Sequence, residues 1–257
     1  MVRIWMAAAL ALAPSLAHAQ AEQQALVDRA TLAAQEMLND ATGKDAQSVL
    51  RQARAVMICP QVLRAGFLLG GQGGSCVLVA RDGAGSWSAP AFYGLGGGSI
   101  GFQAGMQDAQ VMLIIMSDKG LHAVMDNQFK LGADATATFV DLGGGVEGAT
   151  TAALRADIVG FSKARGLYAG ISLGGTLMST KSEWNQAYYG RPLAAPQIVV
   201  GMEGTNPAAD PLRQVLMRYG AQERPAPPPA MPAPVPLNIA PQSLAPIQQQ
   251  PLPVQRR

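Results

Sequence analysis

The spacing of apolar residues changes period partway along the chain. From Ala21 to Asn39, Leu26, Ala30, Ala33 and Met37 recur every three or four positions, shadowed by Val27, Ala34 and Leu38. That spacing predicts an amphipathic helix, broken at Gly43. A second helix is predicted from Asp45 to about Arg54, with Val49, Leu50 and Ala53 on its apolar side. Arg51 and Arg54 fall near its end, where cations suit the helix dipole. Strand signals follow. Residues 55–58 (AVMI) predict a buried strand stopped at Pro60. Phe67 to Leu69 and Cys76 to Ala80 flank GGQGGS and predict a hairpin with a glycine tip. Ser86 to Tyr93 predicts a strand interrupted at Pro90, hence an edge or a bulge. Residues 111–116 (VMLIIM) are too continuously apolar to be half-exposed, which predicts a central strand. A short helix is predicted over Leu121 to Phe129. Ile158 to Leu177 reads as the clearest hairpin, with Leu167, Ala169, Ile171 and Leu173 on one face and Lys163 and Arg165 at its turn. Helical turns over Asn185 to Tyr189 and Pro211 to Tyr219 complete the pattern.

The stretch from Gly83 to Gly105 (GAGSWSAPAFYGLGGGSIGFQAG) is the centre of this arrangement. Glycine inside strand-like sequence marks bulges, bends or close backbone packing. The fold class expected is α+β: a glycine-rich antiparallel barrel or sandwich, with the N-terminal amphipathic helices packed on it.

Composition narrows the class. Hydrophobic residues make up 49% of the 257, ample for a core, and charged residues only 14%. A net charge of +2 gives no global pull toward nucleic acid, so an anionic partner would have to meet a local cluster. Residues 1–19 read as a secretory signal: Arg3, an apolar run, then Ala17-His18-Ala19 before Gln20. Residues 20–220 then form one domain. From 221 to 257 a proline-rich tail is expected, since 11 of the 18 prolines lie beyond Arg224. The expected location is the bacterial periplasm or cell envelope, with no transmembrane span in the mature chain. Export permits a disulfide between Cys59 and Cys76, while two small buried thiols would suit the same residues.

Three motifs resemble chemistry. Gly96, Gly98 and Gly101 fit the dinucleotide fingerprint, but no amphipathic helix follows. Gly97, Ser99 and Gly101 fit a hydrolase nucleophile elbow, for which Asp118 and His122 would be the partners. Such a triad would be compressed into fewer than 25 residues, which leaves serine hydrolysis a remote alternative. The loop at 141–148 (DLGGGVEG) lacks the Lys-Ser/Thr ending of a phosphate loop. No metal-ligand spacing and no cofactor motif are present.

Several ordered motifs carry a family likeness. WSAPAF at 87–92, GGGSIGFQAG at 96–105, MSDKGL at 116–121, LGADAT at 131–136, FSKARGLYAGISLGG at 161–175 and AYYG at 187–190 together resemble the SYLF domain family. The resemblance implies a non-catalytic domain that binds anionic or phosphoinositide-like lipid headgroups. It also implies actin binding in eukaryotic members and exported single domains in bacteria. Membrane attraction needs cations, each contributing about 1 kcal/mol near an anionic surface. The candidates are Arg51, Arg54, Arg64, Lys163 and Arg165. The other reading is a structural or adaptor protein that binds an envelope protein.

Overall fold

The computed structural model describes residues 2–39, 43–66, 69–100, 105–141, 156–165 and 175–221, with side chains omitted for 2–19 and at a few strand ends. Its framework is one eight-stranded sheet in the order β5-β8-β3-β2-β1-β4-β7-β6. The strands are β1 (Ala55–Gly66), β2 (Leu69–Ala80), β3 (Ala91–Ile100), β4 (Gly105–Ile115), β5 (Gln128–Lys130), β6 (Ala137–Asp141), β7 (Ile158–Arg165) and β8 (Leu177–Thr180). All neighbours pair antiparallel except β6 and β7, which run parallel, and the sheet curls into a half-barrel. The helices are α1 (Val2–Asn39), α2 (Gly43–Arg51), α3 (Asp118–Met125), α4 (Ser182–Tyr189), α5 (Ala195–Val199) and α6 (Asp210–Tyr219). The fold is α+β, as expected.

The central strands are buried on both faces, which is why their sequences run apolar without alternation. On one face Val56, Ile58, Val77, Val79, Phe92, Met112, Ile114, Val159 and Phe161 meet α1, α2, α4 and α6. On the other face Met57, Cys59, Cys76, Leu78, Tyr93, Val111, Leu113 and Ile115 meet α3, α5 and the segment around Phe129. Cys59 and Cys76 are joined by a disulfide on this second face, buried between β1 and β2.

Three expectations are corrected. Pro60 does not stop β1; the register of β1 shifts between Ile58 and Gln61 against β2, a bulge that admits the proline. GGQGGS is not a hairpin tip but the body of β2, paired with β1 as far as Gly66 opposite Gly70. The expected hairpin from Ile158 to Leu177 is described only at its two ends, residues 166–174 lying outside the described residues, and those ends do not pair with each other. Strand β7 pairs with β4 and β6, while β8 pairs with β3 and β5 across the sheet. Lys163 and Arg165 therefore lie within a strand. The proline-rich tail lies outside the described residues, as do the 141–148 loop beyond Asp141 and the leader's side chains.

Asp157 ties β7 to two neighbours. Its carboxylate accepts from Ser117 Oγ at 2.6 Å and from Thr136 Oγ1 and N at 2.8 and 3.1 Å, with Lys119 at 3.6 Å. The Ser117 bond first, then the Thr136 hydroxyl, hold its pKa down to about 2. The folded value lies below the unfolded one, about 3.9. Its contribution is thus complete above about pH 4 and is lost as pH falls toward 2. Asp157→Asn should cost about 1–2 kcal/mol at neutral pH after allowance for solvent screening. The variant should also lose less stability than the parent on acidification, read by denaturant midpoints at pH 7 and pH 3.

Candidate functional site

The strand register separates the five candidate cations. Arg54 follows α2 and enters β1, its backbone N–H bonded to the carbonyl of Ile115. Its side chain is exposed and pairs with Asp118 at 3.5 Å. Arg51, at the end of α2, is at this same end of the sheet. Arg64 lies ten residues along β1, opposite Gln72 and Gln107. Ten strand residues span roughly 30 Å. Lys163 and Arg165 are opposite Gln110 and Asp108, so with Arg64 they share the far half of the sheet. Lys163 Nζ is 3.1 Å from Glu36 Oε1 of α1, and Gln110 donates to the other carboxylate oxygen at 2.8 Å. One basic surface made by all five residues is ruled out by this placement. Arg51 and Arg54 share one end of the sheet; at the far end the register puts Lys163 and Arg165 on the face turned toward α1, while Arg64, two positions from buried Val62, falls on the other face.

The face of the far half that is turned toward α1 is unusual. Two rows cross four strands there: Gly96, Gly73, Leu63 and Asp108, then Gly98, Gly71, Ala65 and Met106. Met106 is 80% exposed and Leu63 47%. In the next row, Ser75 is opposite Gly94. Lys181 reaches over that pair. Its Nζ donates to Ser75 Oγ at 2.9 Å and stands 3.8 Å from the centre of the Trp184 ring. Burial lowers the Lys181 pKa, partly opposed by Glu22. Periodicity analysis misses Lys181, Ser75 and Trp184, because long-range pairing of β3 with β8 brings them together.

The same register separates the residues of the serine triad and places the dinucleotide-like glycines in a strand. Ser99 is opposite Gly70 within β3, not on a strand-to-helix elbow. His122 and Asp118 belong to α3, which follows the opposite end of β4. Gly96 and Gly98 are mid-strand residues, so they form no phosphate-binding turn. A separate recess of about 260 Å³ lies beside Trp87, Met202, Thr205, Asn206, Asp210 and Arg213. Arg213 is committed there to Asp210 and to the Trp87 carbonyl.

Among the described residues the sheet is curled and helix-covered, and no side chain lies within 4 Å of a Cβ built at Gly71, Gly73, Gly96 or Gly98. Residues 96–219 match the family model Ysc84, described as Las17-binding protein actin regulator. The chain belongs to this SYLF (Ysc84) family. It is 32% identical over 171 residues to Protein YSC84 of Saccharomyces cerevisiae, covering 65% of this chain and 36% of the yeast protein. It is 34% identical over 170 residues to SH3 domain-containing YSC84-like protein 1 of Bos taurus, covering 65% of this chain and 49% of the relative. LAS seventeen-binding protein 3 of Saccharomyces cerevisiae is 32% identical over 181 residues, covering 69% and 39%. The chain thus spans about half or less of the length of these relatives. No solved structure matches it. The family is one of binding and adaptor domains rather than enzymes.

Proposed function

We propose that this protein is an exported domain that binds anionic membrane lipids reversibly through the far half of its sheet. The observation that carries the reading is that Lys163 and Arg165 fall at register positions of the same face of the sheet as exposed Leu63 and Met106, with Arg64 at the same end on the other face. Membrane attachment needs both elements, cations for phosphate and apolar side chains for the acyl boundary. Arg51 and Arg54 contribute little, since Arg54 already faces Asp118 at the other end. Export rests on the leader-like residues 1–19. A phosphoinositide-like headgroup is the anionic ligand that the family likeness favours.

A second reading has its own support. The family description and the name of one yeast relative, LAS seventeen-binding protein 3, refer to Las17 binding, which supports a domain that holds a protein of the envelope. Sedimentation with vesicles separates the two. Phosphatidylcholine vesicles supplemented with phosphatidylglycerol should carry the protein down at low salt and release it at high salt. Equal sedimentation with neutral and anionic vesicles would exclude headgroup attraction, and no sedimentation with either would favour the protein-partner reading.

A further inference from the structure

Four glycines on the α1-facing side of the sheet are required neither by their own conformation nor by packing within the described chain. Gly71, Gly73, Gly96 and Gly98 form a block of two cross-strand pairs, Gly71 with Gly98 and Gly73 with Gly96. None has the positive φ that favours glycine. A Cβ at Gly96 would meet nothing within 4 Å; at Gly71, Gly73 and Gly98 it would meet only one carbonyl oxygen, at 3.7–4.0 Å. Glycine weakens a strand interior, so four in one block carry a stability cost with no return inside the described fold.

The surroundings indicate what would lie on this floor. Leu63, Ala65 and Met106 continue it on β1 and β4, with Asp108 in the same row as Leu63. Helix α1 forms a wall. Glu22 interacts with Lys181 near one end of the floor, and Glu36 bonds Gln110 and Lys163 near the other. Residues seven apart fall on one helical line, which puts Arg29 midway between them, with exposed Leu32 beside it. Arg29 and Lys181 make no ion pair within 4 Å among the described residues. The seat therefore has a flat glycine and apolar floor that ends at Asp108, and a margin where Arg29 and Lys181 stand among Glu22 and Glu36.

We propose that this face seats one anionic lipid, its chain lying on the glycine floor and its headgroup held by Lys181 and Arg29. The inference rests on the lipid-binding reading above and sharpens it, from attraction at a bilayer surface to uptake of a single molecule. Side chains added at Gly73 and Gly96 would fill the chain's place while leaving the protein's own packing untouched.

The test uses the full chain and dansylundecanoate, a fluorescent single-chain anion, with its methyl ester as the uncharged control. The parent should bind the acid and bind the ester about tenfold or more weakly. Gly73→Val with Gly96→Val should lose about tenfold or more in affinity for the acid, with a Tm equal to or above the parent's. Gly73→Ala with Gly96→Ala is the substitute should the valine pair lower Tm, and it should show the same loss in weaker form. Lys181→Gln with Arg29→Gln should abolish the preference for acid over ester. Undiminished binding by the glycine variants, or no preference for the acid in the parent, would overturn the proposal. Failure of the parent to take up the probe while still sedimenting with anionic vesicles would remove the seat and leave the surface reading standing. Failure of both would remove both.

Discussion

Arg81→Met should destabilise the protein by about 3 kcal/mol, because its guanidinium donates to three helix-end carbonyls, of which only that of Leu50 has a second donor, the Ala53 N–H at 3.2 Å. Arg81 Nη1 donates to the Arg51 carbonyl at 2.8 Å, and Nη2 donates to those of Leu50 and Gly220 at 3.1 and 2.7 Å. The first two carbonyls end α2, and the third follows α6. A single cation thus closes two helix C-termini, where carbonyls lack partners and the dipole is negative. The guanidinium also lies 4.5 Å from the centre of the Trp87 ring. Burial depresses its pKa, yet guanidinium remains charged in any accessible pH range. Gly220 has evident cause to be glycine: a Cβ there would be 2.6 Å from Arg81 Nη2. Arg81→Lys should recover less than half of the loss, since an ammonium cannot reach three acceptors arranged for a planar fork. Urea unfolding of the three proteins checks this. A loss under about 1 kcal/mol for the methionine variant would show that the helix ends are satisfied by water instead.

Removal of the Cys59–Cys76 bond should cost a similar amount. The two residues are 17 apart in sequence. Closure of a loop of that length is worth about 3 kcal/mol, chiefly by restricting the unfolded chain. Cys59→Ala with Cys76→Ala should therefore lower Tm by roughly 10 °C for a domain of this size. Reductant should lower the Tm of the parent to nearly that of the variant and leave the variant unaffected. Both sulfurs belong to residues with no solvent exposure, so native protein should resist reduction until it opens. A variant as stable as the parent would mean that the bond adds nothing beyond the packing of β1 on β2.

Much of the fold can be read from the residues alone. The α1 face at Leu26, Ala30, Ala33 and Met37 is buried as its period demands, and Val111 to Ile115 form a central strand buried on both faces. The failures have two physical causes. Glycine has no side chain, so GGQGGS and GLGGGS carry no alternation by which a strand could be recognised; their pairing with each other makes them strands. Residues 158–177 alternate as strands do, but alternation says nothing about partners. The neighbours of β7 are β4 and β6, and β8 sits beyond β3. The site suffers most from this second cause. Residue type singles out cations, but only the register reveals that Arg54 and Arg64 stand about 30 Å apart on one strand. The same register gathers Lys181, Ser75 and the four glycines, none of which has a local signal for binding.

The central claim is that recognition occurs at the far half of the sheet and not along its cations at large. Sedimentation of two double variants with phosphatidylglycerol-containing vesicles at low salt tests it most directly. Lys163→Gln with Arg165→Gln removes two charges worth about 1 kcal/mol each, so binding should fall by roughly thirtyfold. Arg51→Gln with Arg54→Gln should leave it within about twofold of the parent, as expected for charges remote from the surface. Equal losses in both variants, or a larger loss in the second, would contradict the account.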